Sequence, residues 1–556
     1  MRVWIQRAAI GALILFAAYV RLDGLDGPMS WYDEAITSLR VAGHTEKDVA
    51  DFASPHPKIQ LGELLPFVTV DAAGSTSATL HSLTTEDAQH TPLYYILARW
   101  WALLFGSELA TARTLPACLS LLAMAAMYWV CLELFVKTGA FPWRGVCWLG
   151  VLAFACSPFQ IAYAREHREY SMWALTTLLC CGAFLRALRK DTWKAWGLYA
   201  LALTIGLYTQ MLSGAMALAF AVFLLVKWKL RPKRAFARLV AASAGAALLF
   251  LPWAFVLESR RVTVQNSLGW VTGFSRGRFR WTTAGPLAHV ADLAGLDVVG
   301  LWKGLPGLTL VTEIQWWAPW ALLAGMFLLA KDSRREAAWF SAAMALSISL
   351  PLFLLDFFSG STSGFAIRYA VPSALGWLFV LVFIAASLVR GAGKWRLAGC
   401  SVVAVYVVVA AISALSTHDA RITAAKGFLY RVESIDFLNS TGRITLVSDE
   451  FVGDLLALAQ NVRPDLPVVW NPRCFTCVLG YSPVVEIPAE TPRTGTVIYW
   501  RSWVNIGPAA PIGQLSRDQF GDPRFHTESV LVPSPSGDDF ASGDLFLLTP
   551  REGSRQ

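Results

Sequence analysis

Charge is scarce in this chain. Only 15% of its 556 residues are Asp, Glu, Lys or Arg, against about 25% in an average soluble protein. With 55% hydrophobic residues and a mean hydropathy of +0.47, that shortage excludes a disordered chain. It also argues against a wholly soluble globule and makes a multi-span membrane protein the default. Acid is the scarcer sign, 39 residues against 47 basic ones, for a net charge of +8. The basic residues fall in short runs between apolar segments and form no basic face with interleaved aromatics, so nucleic acid is not an expected partner. The common nucleotide and hydrolase signatures are also missing. There is no Walker P-loop, no dinucleotide glycine fingerprint, no HExxH and no GxSxG, so no nucleotide cofactor is expected.

Cysteine is sparse. Seven of the nine (Cys118, Cys131, Cys147, Cys156, Cys180, Cys181, Cys400) sit in apolar runs, where the thiol acts as a small hydrophobe. Cys474 and Cys477 lie in a polar stretch without a second CxxC, which favours a local disulfide over half a zinc site. The N-terminus carries Arg2 and Arg7, then runs apolar to Val20 without a small-residue cleavage site. It reads as a retained first span.

A helix needs roughly 20 apolar residues to cross a bilayer. Eleven segments qualify or nearly do: 3–20, 113–136, 144–162, 169–188, 194–208, 211–228, 236–257, 316–330, 336–357, 369–389 and 395–415. With the N-terminus inside, the cytoplasmic connections 137–144, 186–194, 227–238, 331–336 and 390–396 together hold 18 Lys and Arg. The short outer turns hold only Arg165, Arg168 and Arg368. That asymmetry supports the arrangement. The apolar stretch Pro92–Phe105 would reverse every later loop if it crossed, so it is expected to lie on the outer leaflet as an interfacial helix.

The expected architecture is therefore an all-α polytopic membrane region over 1–415, followed by a small extracytoplasmic α/β domain over 416–556. Two large extracytoplasmic loops, 21–111 and 258–315, interrupt the membrane region. The tail alternates β-type runs (Ile444–Val447, Pro467–Trp470, Thr496–Trp500, Leu545–Leu548) with helical patterns near 424–439 and 450–460.

Four stretches carry residues suited to chemistry, all on the outer side. Met29-Ser-Trp-Tyr-Asp-Glu-Ala-Ile-Thr37 puts Asp33 and Glu34 about a dozen residues beyond the first span. Burial among aromatics and mutual repulsion both raise a carboxyl pKa, which suits a general base. The same residues also read as a solvated helix start with Ser30 as N-cap and acids in the first turn. His90-Thr-Pro-Leu-Tyr-Tyr95 opens the interfacial helix. His90 there could ligate a metal or contact phosphate, or simply cap, with Tyr94 and Tyr95 as interfacial tyrosines. Tyr163-Ala-Arg-Glu-His-Arg-Glu-Tyr170 crowds five ionisable residues into one short turn. Helical spacing would set Arg165 against Glu169 and Glu166 against Tyr170. Arg368-Tyr369 opens the tenth span, and Arg113 the second. An arginine in such a place either forks onto phosphate oxygens or anchors a headgroup.

These stretches occur in a fixed order that resembles the GT-C membrane glycosyltransferases. Within them, the protein O-mannosyltransferase and lipid A aminoarabinose transferase superfamily is the most similar. The matching residues are Asp33-Glu34-Ala35, His90-Thr91-Pro92-Leu93-Tyr94-Tyr95, Ala112-Arg113-Thr114-Leu115-Pro116 and Ser157-Pro158-Phe159. Tyr163, Glu166, Arg168, Tyr170, Arg368-Tyr369 and Pro372 complete the set, which covers roughly 1–390. The resemblance implies a transferase that takes a sugar from a polyprenyl-phosphate donor, with Asp33 as base toward the acceptor hydroxyl and Glu34 and Glu166 beside it. His90, Tyr94, Tyr95, Arg113, Tyr163, Arg165, Arg168, Tyr170, Arg368 and Tyr369 would contact substrate. A divalent cation held by Asp33, Glu166 and His90 is compatible with it. Relatives often carry Gln-Glu-Ala-Arg-Met-Tyr where this chain has residues 165–170, so two further charges enter the site here. They often carry Tyr-Thr-His where this chain has Tyr208-Thr209-Gln210, which weakens the case for a metal.

The chemistry needs little else. A sugar on a lipid phosphate is already activated. One carboxylate to deprotonate the acceptor, and arginines or a cation to hold the phosphate, would suffice. Attack opposite the phosphate inverts the anomeric centre. The expected partners are the lipid-linked sugar, a glycolipid, polysaccharide or protein acceptor, and membrane lipid. The expected location is a bacterial inner membrane with the tail outside. A transporter or flippase is the alternative, but it would place polar residues near the bilayer midplane, whereas here they gather at the rim. A scaffold or receptor would give no reason for Asp33 and the 165–170 cluster to share a side.

Overall fold

Apolar helices dominate the chain, as its composition demands. The computed structural model describes residues 2–56, 58–226, 233–267, 320–331, 334–359, 367–391, 393–397, 399–401, 403–405, 408, 432–471, 487–500, 524–533 and 539–551. The second large loop, the last span and Cys474 and Cys477 thus lie wholly or largely outside the described residues.

The N-terminal helices are α1 (Arg2–Leu22), α2 (Tyr32–Ala42), α3 (Glu46–Ala53), α4 (Thr76–Glu86), α5 (Pro92–Phe105) and α6 (Leu109–Cys131). There follow α7 (Gly145–Ala155), α8 (Pro158–Ala164), α9 (Tyr170–Lys190), α10 (Trp193–Thr209), α11 (Gly214–Val226), α12 (Lys233–Ser259) and α13 (Arg261–Ser267). Beyond the gap come α14 (Trp320–Leu329), then α15 (Arg335–Ala345), α16 (Ser349–Ser359) and α17 (Val371–Val389). By length and composition four described segments can cross a bilayer: Leu109–Val136, Tyr170–Lys190, Lys233–Ser259 and Arg368–Val389.

Two segments expected as single spans are broken. The 144–162 segment bends by 58° between α7 and α8, and 336–357 bends by 43° between α15 and α16. Each break has a local cause. Ser157 caps α8 by accepting from the Gln160 N–H, and Pro158 occupies the first turn, where its missing N–H costs nothing. The carbonyls freed at the end of α7, on Phe154 and Ala155, accept from Arg21 at 3.3 and 3.0 Å. At the second break Ser373 Oγ accepts the N–H groups of Ile348 and Ser349, both at 3.1 Å. Gly376 lets α17 approach that bend, since a Cβ there would stand 2.1 Å from the Ala345 nitrogen.

Helix α5 is the 14-residue element expected at the membrane surface. One side buries Tyr94, Tyr95, Ala98 and Ala102, while Trp100, Leu103, Leu104 and Phe105 stay exposed. The two sides of the helix thus differ in burial. Arg99 faces inward, donating to the Val41 and Ala42 carbonyls at the end of α2 at 3.0 and 3.2 Å.

The tail folds as helices α18 (Val432–Ser440) and α19 (Val452–Asn461) with strands β2 (Ile444–Ser448), β3 (Pro467–Trp470), β4 (Thr496–Trp500), β5 (Phe525–Pro533) and β6 (Asp539–Pro550). The sheet has one more strand, β1 (Lys58–Gln60), from the first loop. The order is β1-β3-β2-β4-β6-β5; β2 is parallel to β3 and β4, and the other pairs are antiparallel. The sheet therefore crosses the boundary drawn at residue 415. One core unites both parts, with Ala35, Ile36 and Leu39 of α2 packed among Val452, Leu455 and Leu456 of α19 and Leu446 and Trp500 of the sheet. Each fully buried leucine contributes about 1.5–3 kcal/mol.

Candidate active site

Asp33 and Glu34 stand in the first turn of α2, where the free N–H groups of a helix start favour acids. Their side chains diverge. Glu34 is 1% exposed. Its carboxylate receives two parallel bonds from Arg113, Nε to Oε1 at 2.8 Å and Nη2 to Oε2 at 2.6 Å. The His167 backbone N–H adds a bond to Oε1 at 2.7 Å. Arg113 also donates to the carbonyls of Leu25, Pro28 and Met29 at 2.8, 2.7 and 3.3 Å. This pair ties the loop ahead of α2 to the start of α6, and both partners are fully engaged in doing so. The alternative of a solvated helix start capped by Ser30 does not match the structure: Trp31 is the N-cap, with no side-chain cap bond, and Ser30 is buried.

Asp33 is half-buried and turns the other way. Its Oδ2 lies 3.6 Å from Arg368 Nη2, and the two side chains are 19% and 23% exposed, so both can meet a ligand. Arg368 sits over the ring of Trp31 at 5.4 Å and that of Tyr369 at 5.7 Å, which fixes the plane of its guanidinium. An acid from the beginning of the chain and a cation 335 positions later thus meet at one partly open place.

The 165–170 turn forms the wall behind them. It is not helical. Helix α8 ends at Ala164 and α9 begins at Tyr170, so the expected contact of Arg165 with Glu169 does not form. Arg165 instead reaches the end of α1, donating to the carbonyls of Val20, Asp23 and Gly24 at 3.3, 2.6 and 2.8 Å. Arg168 donates to Thr37 Oγ1 at 2.8 Å and to the Asp33 carbonyl at 3.4 Å. Its Nε faces Glu169 Oε2 at 3.4 Å. Burial alone would weaken the Arg168 cation, but Glu169 together with Tyr170, Tyr95 and Asp33 outweighs it and holds the charge. Burial likewise pushes the Glu169 carboxyl up, but Arg168 and then His90 prevail, leaving it at about 2.

Tyr163 stacks edge-on against Tyr170, with ring centroids 4.8 Å apart, and lies within electrostatic reach of Glu166, Arg368, Asp33 and Tyr369. Those residues gather around one place, as the ordered motifs imply. His90 is held between acids, 3.8 Å from Asp87 and 3.6 Å from Glu169. Tyr94 and Tyr95 are fully buried and support the turn rather than face outward; Tyr94 Oη lies 3.2 Å from His167 Nδ1.

His167 is a residue that sequence reasoning passed over. Burial lowers its pKa to about 4, against the opposing pull of Glu34, so the imidazole is neutral at ordinary pH. Trp31, Thr37 and Asp87 were passed over too; only their place in this arrangement distinguishes them. Among the described residues no group of three or more His, Cys, Asp or Glu side chains could hold a metal ion. The set Asp33, Glu166 and His90 is not such a group; His90 lies instead beside Asp87 and Glu169.

Comparisons with known proteins agree with the family resemblance. Residues 89–255 match the family model described as dolichyl-phosphate-mannose-protein mannosyltransferase. Comparison with curated proteins gave no match. Among solved structures, ArnT from Cupriavidus metallidurans bound to undecaprenyl phosphate is 14% identical, covering 83% of this chain and 85% of its own, with a TM-score of 0.48. The Archaeoglobus fulgidus oligosaccharyltransferase tethered with an acceptor peptide is 13% identical, covering 84% of this chain and 64% of its own, with a TM-score of 0.46. Over residues 89–255 the chain is similar to the mannosyltransferase family, in line with the resemblance read from its motifs.

Proposed function

We propose that this protein transfers a sugar from a polyprenyl-phosphate-linked donor to an acceptor hydroxyl, on the extracytoplasmic face of a bacterial inner membrane. One observation carries the reading: the partly buried Asp33 carboxylate faces the Arg368 guanidinium at 3.6 Å. The family model supports it, since its match spans His90, Arg113 and the 163–170 turn.

Asp33 takes the proton from the acceptor hydroxyl as the oxygen attacks the anomeric carbon. The bond to the lipid phosphate breaks on the opposite face, so the configuration inverts. Arg368 holds the departing phosphate oxygens, whose charge grows as the bond breaks. Tyr163 and Tyr369 border the site, and Glu166 and Tyr170 lie behind it. The lipid tail runs along the apolar spans beside Arg368. Acceptors of this chemistry are a glycolipid, a polysaccharide or a protein. No step is routed through a metal, because the donor set does not fit one.

The test is direct. Purified protein is given a panel of polyprenyl-phosphate sugars with glycolipid, polysaccharide and peptide hydroxyl acceptors, and the released lipid phosphate and glycosylated acceptor are measured. Transfer by the wild type, reduced in Asp33→Asn by the roughly 10²–10⁴ that a positioned base supplies, is the expected outcome. Undiminished turnover in Asp33→Asn removes that residue as the base.

A further inference from the structure

The mechanism leaves the tail without a role, yet the tail touches the element that carries Asp33. Helix α19 packs along α2, and at its end Asn461 grips the backbone of Ser30, three positions before Asp33. The Ser30 N–H donates to Asn461 Oδ1 at 2.9 Å. Asn461 Nδ2 donates back to the Ser30 carbonyl at 2.8 Å and to the Ala457 carbonyl, also at 2.8 Å. Gln460 adds a bond from Ser30 Oγ to its Oε1 at 2.5 Å. A side chain that satisfies both backbone groups of one residue fixes that residue's peptide planes more firmly than one bond would.

The rest of the contact leaves little room to shift. Gly453, in the first turn of α19, lies under the ring of Tyr32; a Cβ there would come within 2.5 Å of the ring. The first loop is tied to the tail again downstream of α2. β1 pairs with β3, and the Leu61 and Gly62 N–H groups donate to the Leu466 and Pro464 carbonyls at 3.0 and 2.8 Å. Helix α2 is thus held from the membrane side by Arg113 on Glu34 and from the tail side by Asn461 on Ser30. The residue between these two grips is Asp33, with its neighbours Trp31 and Tyr32.

We infer that Asn461 is a positioning residue for the transfer reaction: by clamping the Ser30 backbone it sets the direction in which Asp33 faces Arg368. This rests on the proposed function for its kinetic consequence, but the clamp itself does not. Displacing a reacting group by about 1 Å costs up to 10²-fold in rate. Loss of a clamp three residues away is therefore expected to lower kcat about 10-fold while the donor KM stays within about twofold.

The experiment uses the full chain in detergent or nanodiscs. Asn461→Ala is compared with wild type and with Ser30→Ala, which keeps both backbone bonds and loses only the Gln460 contact. Asn461→Asp keeps the acceptor for the Ser30 N–H and is expected to retain more activity than Asn461→Ala. Hydrogen exchange over residues 30–37 is measured on the same samples. It should quicken in Asn461→Ala and stay unchanged in Ser30→Ala. Wild-type kcat in a folded Asn461→Ala, or an equal fall in kcat for Ser30→Ala, overturns the positioning role. Wild-type protein that moves no sugar from any donor counts against the glycosyltransferase reading instead. In that event unchanged exchange in Asn461→Ala still overturns the clamp.

Discussion

Arg113 and Glu34 meet through two parallel bonds of 2.8 and 2.6 Å, 79 residues apart in sequence, with both side chains about 1% exposed. The pair stands at the joint between the first loop and the membrane helices, and it leaves Asp33 as the acid of the two that a substrate can reach.

Removing one partner of such a pair strands the other charge away from water. Glu34→Gln and Arg113→Ala are each expected to destabilise the fold by about 3–5 kcal/mol. Thermal unfolding in detergent should show both midpoints well below wild type. A midpoint unchanged in Glu34→Gln would contradict the structural role.

The reverse pattern is expected at Asp33. Asp33→Asn should lower the unfolding midpoint less than Glu34→Gln does, because Asp33 and its partner Arg368 are 19% and 23% exposed, whereas Glu34 and Arg113 are each 1% exposed. A partly exposed pair of this kind lies between the roughly 0–1 kcal/mol of a surface pair and the about 3–5 kcal/mol at stake in a buried one. Transfer should nevertheless fall by two orders of magnitude or more. Comparing the melting curve with the turnover of one sample separates the two roles of the adjacent carboxylates.

Arg368→Lys keeps the charge but loses the planar fork and its stacking over Trp31 and Tyr369. Its turnover is expected to drop by about 10-fold, and that of Arg368→Ala further. Donor titrations in both variants check this. A lysine variant with wild-type kinetics would mean that a point charge is enough.

His167 makes stability depend on pH. Its folded pKa, about 4, lies below the ordinary value near 6.5, so the unfolded chain binds more protons between these two values. Stability is then complete above about pH 6.5 and falls as pH drops toward 4. Glu169, held at about 2, extends the loss below its ordinary range near 4.3. The melting midpoint should decline between pH 7 and 4, and His167→Gln should flatten that decline. An identical slope in the variant would assign the loss to other groups.

Several elements were legible because their signals are local. The 92–105 run is a single helix, as its apolar composition and Pro92 start suggest. The runs at 444–447, 467–470 and 496–500 are short and almost wholly apolar, as strands buried on both faces are, and all three are strands. Arg165 was misplaced because i, i+4 spacing presumes a helix, whereas the chain leaves α8 before that residue. Lys58-Ile-Gln60 is too short to announce a strand and becomes one only beside β3. The partners of Glu34 and Ser30 lie 79 and 431 positions away, and no spacing rule spans such separations.

The pairing of β1 with β3 also dictates an order of assembly. Residues 58–60 are synthesised early, but their neighbours at 467–469 emerge only after the intervening membrane helices have been made. Contacts of such separation form late. The segment around Asp33 therefore waits for its second anchor until the tail is made, and a chain that stops before residue 452 would hold its acid from one side alone, through Arg113 and Arg168.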